Sequence, residues 1–270
     1  MKNKLLSIII VNYNGEQFLR NCIESIHKNC QGIDYEIVIV DNNSSDKSVN
    51  LIKAEFPSVI LIENKENDGF AKGNNIGVKN CRGKYILLLN NDTILLDNLK
   101  PAIDLIIEDS NIGIIGIRML DEQDKFVASF GKFPKIYNFF KLSTLQIDMD
   151  EIKIRIISSP KKPILVDWIS GAFLLTTNQL WKQVGGLDEA YFMYVEDVDY
   201  NKKVQVLGKK SLLLPSLRFI HYVGFNKNRE KQLIKSYKIY IRNHKKGIGL
   251  ITSLFMLNFN LLIKIALKRV

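Results

Sequence analysis

The sequence holds three cysteines, Cys22, Cys30 and Cys81, in 270 residues. An odd count without metal-ligand spacing excludes a disulfide framework and a cysteine-held metal, and it fits a reducing compartment. No Gly-x-Gly-x-x-Gly follows the first apolar run, which argues against an NAD-dependent reductase. Asn12 to Gln17 contains no Lys or Arg, so the basic glycine-rich loop of a nucleotidyltransferase is missing too. Leu5 to Val11 is interrupted by Asn12 and Asn14 before any small-residue cleavage site, so it reads as a strand and not as an export signal. Internal repeats and low-complexity segments are also lacking.

What is present is a globular composition, 46% hydrophobic, sufficient for one large α/β domain or two small ones. The net charge of +10 is confined to one end. Of the 38 Lys and Arg and 28 Asp and Glu, residues 226–270 hold eleven bases and one acid, Glu230, leaving 27 of each in residues 1–225. A neutral body with a basic tail excludes a nucleic-acid-binding body and points the tail at an anionic surface.

Apolar runs at Leu5 to Val11, Tyr35 to Val40, Val59 to Ile62 and Tyr85 to Leu89 alternate with helical patterns and short polar loops. That alternation predicts a mostly parallel, doubly wound α/β sheet. Ser44 or Ser45 is placed to cap the second helix. A second regime begins near Gly113. It holds a strand over Ile114 to Met119, a weakly patterned excursion over Asp121 to Pro163, and a strand over Val166 to Leu175 broken by Gly171. A helix over Asn178 to Val184 follows, then one opening at Glu196, then short strands at Ser211 to Leu214 and Arg218 to Tyr222. This gives a body of 1–225, divided into a half of 1–112 and a half of 113–225, and a tail of 226–270.

The stretch Tyr85 to Thr93 organises the rest. Five apolar residues form a strand buried on both faces and deliver Asn90, Asn91 and Asp92 to its carboxyl end, where open parallel sheets bind ligands. One carboxylate in a polar cluster there suits a divalent cation and the diphosphate it carries, while the plain alternative is a loop closing a strand.

In the tail, Leu233, Ile234, Tyr237, Tyr240 and Ile241 share one face with the bases largely opposite, which predicts a basic amphipathic helix. Ile248 to Leu267 is strongly apolar but contains Asn258, Asn260 and Lys264. Helices lying in or partly inserted into a membrane surface are the leading expectation, with a true span and packing against the body as the other two.

Taken in order, the segments Val11-Asn-Tyr-Asn14, Val40-Asp-Asn-Asn-Ser-Ser-Asp46, Asn67-x-Gly-Phe-Ala-x-Gly-x-Asn75, Leu87 to Thr93, Trp168-x-x-Gly-Ala172, Gly185-Gly-Leu-Asp-Glu189 and Met193 to Asp199 make a pattern. The sequence resembles the inverting glycosyltransferases of family 2, with the nucleotide-sugar-dependent, Rossmann-like GT-A fold, and within them the rhamnosyltransferase-like branch. The resemblance runs from about Leu6 to about Gly224. It implies that 1–112 is the nucleotide-sugar half and 113–225 the acceptor half.

The resemblance assigns donor binding to Asn12, Tyr13, Asp41, Asn42, Asn67, Gly69, Asn75, Asn90 and Asn91, with Tyr13 stacking on a pyrimidine and Asp41 and Asn42 bonding base or ribose. It assigns Asp92 to a metal, Mg²⁺ or Mn²⁺, whose shell waters and diphosphate oxygens complete. His221 is a further metal or diphosphate ligand, or a structural histidine. Asp197 is the base that takes the acceptor's proton, and Glu196 beside it raises its pKa by like charge. Glu196 and Asp199 also suit a helix N-terminus as acids. Lys203 stands where the family usually shows arginine. Trp168, Gly171 and Glu196 fall on the acceptor side, Trp168 as a site wall or a core aromatic.

The implied activity is transfer from dTDP-rhamnose, or else a UDP-sugar, to a lipid-linked or growing cell-surface polysaccharide. The expected location is cytoplasmic, on the inner face of the plasma membrane, with the tail on anionic lipid or serving a homodimer and no nucleic acid bound. The competing reading is a degenerate sugar-binding or membrane scaffold.

Overall fold

The computed structural model describes residues 4–142, 156, 162–222 and 229–266. Its centre is a pair of parallel strands, β1 (Lys4–Asn12) and β4 (Gly83–Leu89), with Leu6 beside Tyr85 and Ile8 beside Leu87. Side chains of a strand alternate between faces, so a strand covered on both must be apolar throughout. Ile8, Ile9, Ile10 and Ile86 to Leu89 are accordingly all buried, shared between the two clusters that cover the sheet. Burial of each such side chain contributes about 1.5–3 kcal/mol.

β2 (Tyr35–Asp41) and β3 (Ile60–Glu63) continue the sheet beyond β1, parallel to it. On the other side of β4 come β11 (Phe173–Thr177), β6 (Ile112–Leu120), β12 (Lys210–His221) and β5 (Thr93–Leu95). Among the described residues, β7 (Phe126–Val127) and β9 (Ile164–Val166) complete a ten-stranded sheet, and β8 (Phe130–Gly131) pairs with β10 (Trp168–Ile169) apart from it. The chain runs from β1 outward through β2 and β3, then returns to β4 on the opposite side of β1. Such a reversal opens a crevice at the carboxyl ends of the strands.

Among the described residues the α-helices run as α1 (Glu16–Asn29), α2 (Ser48–Glu55), α3 (Gly69–Lys79), α4 (Lys100–Glu108), α5 (Asn178–Val184), α6 (Glu196–Val206), α7 (Arg229–His244) and α8 (Gly247–Ala266). α1 buries Leu19, Cys22, Ile23 and Ile26, spaced as one helical face. Burial pushes the thiols of Cys22 and Cys30 up to about 12, so neither is a nucleophile.

Several sequence expectations change in detail. Val166 to Leu175 is not one broken strand but parts of three in different ladders: β9 pairs with β12, β10 with β8, and β11 with β4 and β6. The two short strands after Ser211 are one strand, β12, whose pairing with β6 shifts register between Leu214 and Arg218 at Pro215, which has no N–H to donate. Ser44 does not cap α2; its hydroxyl donates to Asp41, while Asp46 accepts from the Ser48 N–H at 3.0 Å. α4, which opens with a proline in its first turn, went unnoticed in the sequence. Of the excursion over 121–163, residues 143–155 and 157–161 lie outside the described residues.

The tail does not project from the body. The face of α7 that suits a membrane, with Ile234, Tyr237, Tyr240 and Ile241, is buried with Phe139, Tyr191, Val195 and Val198. An apolar stripe gains as much from protein as from lipid, and sequence alone does not distinguish the two.

Candidate active site

Three parallel strands end side by side, and their last polar residues are joined. Asn91 Nδ2 donates to Asn12 Oδ1 at 2.7 Å, and Asn12 Nδ2 donates to Asp41 Oδ1 at 2.8 Å. Gly15 closes this row, since a Cβ there would collide with both Asn91 and Asn12. Asp41 also accepts from Ser44, through Oδ1 from the hydroxyl at 2.6 Å and through Oδ2 from the N–H at 2.8 Å. The carboxylate is therefore saturated within the protein and shapes the turn after β2. Tyr13, in contrast, is 52% exposed on the first loop.

Asn42 is also enclosed. Its Nδ2 donates to Gly69 O at 3.0 Å and Asn67 Oδ1 at 3.4 Å, and its Oδ1 accepts from Asn64 at 2.9 Å. Asn67 accepts from the Gly69 N–H at 3.0 Å, which bends the chain into α3. Gly69 has φ +77°, and a Cβ there would strike the carbonyl oxygen of Phe192. The Phe70 N–H donates to that same oxygen at 2.8 Å, tying this loop to the turn before α6. Asn75 faces away from the strand ends and joins α3 to the 187–189 turn through Leu187 O at 2.8 Å and Glu189 Oε1 at 2.9 Å.

At the end of β4, Asp92 meets His221. The antiparallel pairing of β12 with β5 sets His221 opposite Thr93, which brings its Nε2 within 3.1 Å of Asp92 Oδ1 and 3.1 Å of Asn90 Nδ2. Asp92 Oδ1 and His221 Nδ1 are buried with no hydrogen-bond partner. Asp92 Oδ1 and His221 Nε2, which face each other, are a carboxylate and imidazole pair that fits a divalent cation carried by a diphosphate, while Nδ1 lies on the far side of the ring. Among the described residues no cluster of three or more His, Cys, Asp or Glu is assembled to hold one without that help.

Asp197 sits at the start of α6. Its Oδ2 accepts from the Gly171 N–H at 3.0 Å and its Oδ1 from the Val198 N–H at 2.8 Å. Tyr194 and Val195 immediately before it both have positive φ, +70° and +72°, a strained geometry for a β-branched residue and one that concentrates at functional sites. Gly171 is wedged between the Phe70 ring and Asp197, so a methyl group there would press on the ring.

Burial pushes the Asp197 carboxyl up, and bonds from the backbone and Ser170 hold it back. Glu196 is pushed well up, first by burial and then by the charge of Asp197. The like-charge effect expected of Glu196 on Asp197 thus runs mainly the other way: the charge of Asp197 raises Glu196, while burial is what raises Asp197. Glu196 faces inward, its Oε2 buried without a partner.

Trp168 lies over Gly131 and donates from Nε1 to Lys132 O at 3.1 Å, so half of the ring closes against a neighbouring loop. Asp199 points into the body and holds Lys203 Nζ at 2.7 Å and His244 Nε2 at 2.7 Å. The tail grips the 188–199 segment elsewhere as well, through Ser236 Oγ to Met193 O at 2.9 Å and Asn243 Nδ2 to Asp188 at 2.9 Å. The Tyr237 hydroxyl is pushed up by burial and by the charge of Asp197. Sequence reasoning missed Phe70, Ser236, Tyr237 and His244. The last two lie on the α7 stripe, and their polar tips were the available signal.

The profile of glycosyl transferase family 2 matches residues 7–170. The chain belongs to this family. Rhamnosyltransferase WbbL of Escherichia coli K12 is 28% identical over 228 residues, 81% of this chain and 83% of that protein. The N-acetylglucosaminyl-diphospho-decaprenol L-rhamnosyltransferase of Mycobacterium tuberculosis is 40% identical over 65 residues, 24% of this chain and 21% of its own. The mannosyltransferase of Pyrobaculum calidifontis solved with GDP-mannose and Mn²⁺ superposes with a TM-score of 0.63 at 14% identity, over 98% of this chain and 76% of that one. The fold is GT-A and the protein is a glycosyltransferase, as the motifs lead one to expect. The matched segment ends before Glu196, Asp197 and His221.

Proposed function

We propose that this family 2 enzyme moves a sugar from a nucleoside-diphosphate donor to a hydroxyl of a lipid-linked or growing polysaccharide acceptor, with inversion at the anomeric carbon. One observation carries the reading. The Asn90 N–H donates to Ala172 O at 3.2 Å, and the adjacent Gly171 N–H donates to Asp197 at 3.0 Å. The loop between β10 and β11 therefore joins the cation-suited end of β4 to the Asp197 carboxylate of α6, spanning the place where donor and acceptor would meet.

In this reading exposed Tyr13 stacks on the pyrimidine. Asp41, bonded to Asn12 and Ser44, and Asn42, bonded to Asn64, Asn67 and Gly69, hold the donor loop in shape, and Gly69 lets the backbone approach the diphosphate. Asn12, Asn90 and Asn91 line the strand ends, while Asn75 braces α3. Asp92 and His221 would hold Mg²⁺ or Mn²⁺, which when bound neutralises the departing diphosphate. Asp197 takes the acceptor's proton as its oxygen bonds the anomeric carbon and the bond to the diphosphate breaks. Glu196, whose carboxyl is raised by burial and by the charge of Asp197, is the more readily protonated neighbour, and Gly171 and Trp168 border the acceptor.

The rhamnosyltransferase relatives support dTDP-rhamnose as the donor, with a UDP-sugar second. A lipid-linked acceptor places the work at the inner face of the plasma membrane, with the tail region against anionic lipid. The test is thermal-shift binding to a panel of dTDP- and UDP-sugars with Mn²⁺ or Mg²⁺, on wild type, Asp92→Ala and Asp197→Ala. Selective stabilisation by one donor, lost in Asp92→Ala and kept in Asp197→Ala, is expected. Folded wild type that no donor stabilises would overturn the reading.

A further inference from the structure

α8 is apolar on both sides, which is unusual for a helix on a protein in water. At 100° per residue, Ile248, Ile251, Phe255, Phe259 and Leu262 fall within an arc of about 80°. All five are exposed, Ile248 by 80% and Phe255 by 69%. The opposite side carries Ser253, Leu257 and Asn260, all buried. Asn260 Nδ2 donates to Phe140 O, and Ser253 Oγ has no hydrogen-bond partner. Surface helices ordinarily turn their apolar stripe to the core and their polar side chains to water. Large apolar side chains outward as well as inward, where Leu250, Leu254, Leu257 and Leu261 pack on the body, are favourable where the outer medium is itself apolar.

The outward stripe continues onto the neighbouring turn. Ile136, Tyr137 and Phe140 are exposed, and the Phe140 ring stacks on Phe259 with centroids 5.8 Å apart. Residues 126–142 and 231–270 contain no Asp or Glu, and Lys132, Lys135 and Lys246 in these segments are exposed. A second copy of the chain would set lysines against lysines across the same face, whereas a layer of anionic headgroups complements them. Among the described residues no helix is long and apolar enough to cross a membrane, so α8 would lie along one.

We propose that α8 and the Ile136–Phe140 turn form one face that beds into the headgroup–acyl boundary of an anionic membrane. The aromatic and aliphatic side chains enter the boundary and the lysines stay among the headgroups. The inference deepens the membrane partner proposed above and rests on that reading, though not on the identity of the donor. It places the contact on α8 and the turn beside it, since the stripe of α7 is buried.

The test is cosedimentation of the full chain with vesicles of phosphatidylcholine alone or with about one-third phosphatidylglycerol. Wild type is expected to pellet with the anionic vesicles and far less with the neutral ones. In Phe255→Glu/Leu262→Glu, partition should fall about tenfold or more, with circular dichroism and melting unchanged because both side chains already face outward. Val206→Glu, an exposed apolar position on α6, should pellet like wild type. Wild type that pellets with neither vesicle, or a double variant that binds as wild type does, would overturn the proposal. So would light scattering showing a wild-type dimer that the double variant converts to monomers, which would assign the face to a second copy. Donor thermal shifts on the same samples keep the two readings apart. Donor binding lost with vesicle binding intact counts against the transferase site, and the reverse counts against this face.

Discussion

His244 Nε2 lies 2.7 Å from Asp199 Oδ1, so the tail helix holds α6, the helix whose first turn carries Asp197. Asp199 is fully buried. Burial pushes its carboxyl up, but hydrogen bonds from His244 and Lys203 outweigh this and hold it below the usual carboxylate range. Removing one partner of a buried charge leaves a desolvated group with too few bonds. His244→Ala should therefore destabilise the fold by about 2 kcal/mol, lowering the melting point by about 2–4 °C for each kcal/mol. His244→Gln, which keeps a donor, should recover most of the loss. Calorimetry that finds the alanine variant melting with wild type would sink the linkage.

Glu196 is shifted in the opposite direction to Asp199. Its folded pKa lies above the unfolded one, so the folded state retains a proton that the unfolded state releases, and stability falls as pH rises through that interval. Glu196→Gln removes this penalty. Urea melts should show the variant gaining on wild type as pH rises above about pH 4, with no gain below that. A difference that stays constant with pH would mean that Glu196 is charged in the folded protein.

Asp197→Asn keeps the shape of the group and removes its basicity. Sugar transfer should fall about 10²- to 10⁴-fold, the range of general-base effects, while donor affinity stays within about twofold. A matched loss of donor binding in calorimetric titration would show instead that Asp197 shapes the donor pocket.

The Asp92 and His221 pair should report in metal-dependent donor binding. Saturating donor at about 100 Kd with Mn²⁺ should stabilise wild type by about 2.7 kcal/mol. EDTA should abolish the gain in wild type, and Asp92→Asn should lack it from the start. His221→Gln should show a reduced gain. Stabilisation that survives EDTA in wild type would place the diphosphate elsewhere.

Two glycines separate backbone strain from collision. Gly69 and Gly208 share φ +77°, but a Cβ on Gly208 meets nothing within 4 Å, whereas one on Gly69 meets the backbone oxygen of Phe192. Gly208→Ala should cost about 1–2 kcal/mol from the left-handed conformation alone. Gly69→Ala should cost more and also weaken donor binding, because the loop before α3 must move. Equal melting points for the two variants would show that the loop yields freely.

The parallel half of the sheet was legible because its information is local. Each of β1, β2 and β4 is an apolar run closed by a polar cluster, and burial on both faces admits little else. The alternation also placed Asn12, Asp41 and Asp92 at strand ends without any knowledge of neighbours. The second half was less legible. Gly171 marked a break after Trp168, but the three ladders that the flanking residues join depend on β6, β8 and β12, none of which is near in sequence. The tail misled for a related reason: the periodicity of α7 specifies an apolar stripe and not the medium that covers it.

By itself, then, the sequence determined the fold class, the strand ends that carry polar side chains, and the family to which its motifs belong. Tertiary structure decided that the turn of β12 against β5 brings His221 to Asp92, that Gly171 hands its N–H to Asp197, and that α7 turns inward while α8 leaves one apolar side out. These are pairings across long sequence separations, set by strand register and by competition among apolar surfaces for the same core. Local periodicity carries neither quantity, since each exists only once the distant segments have packed.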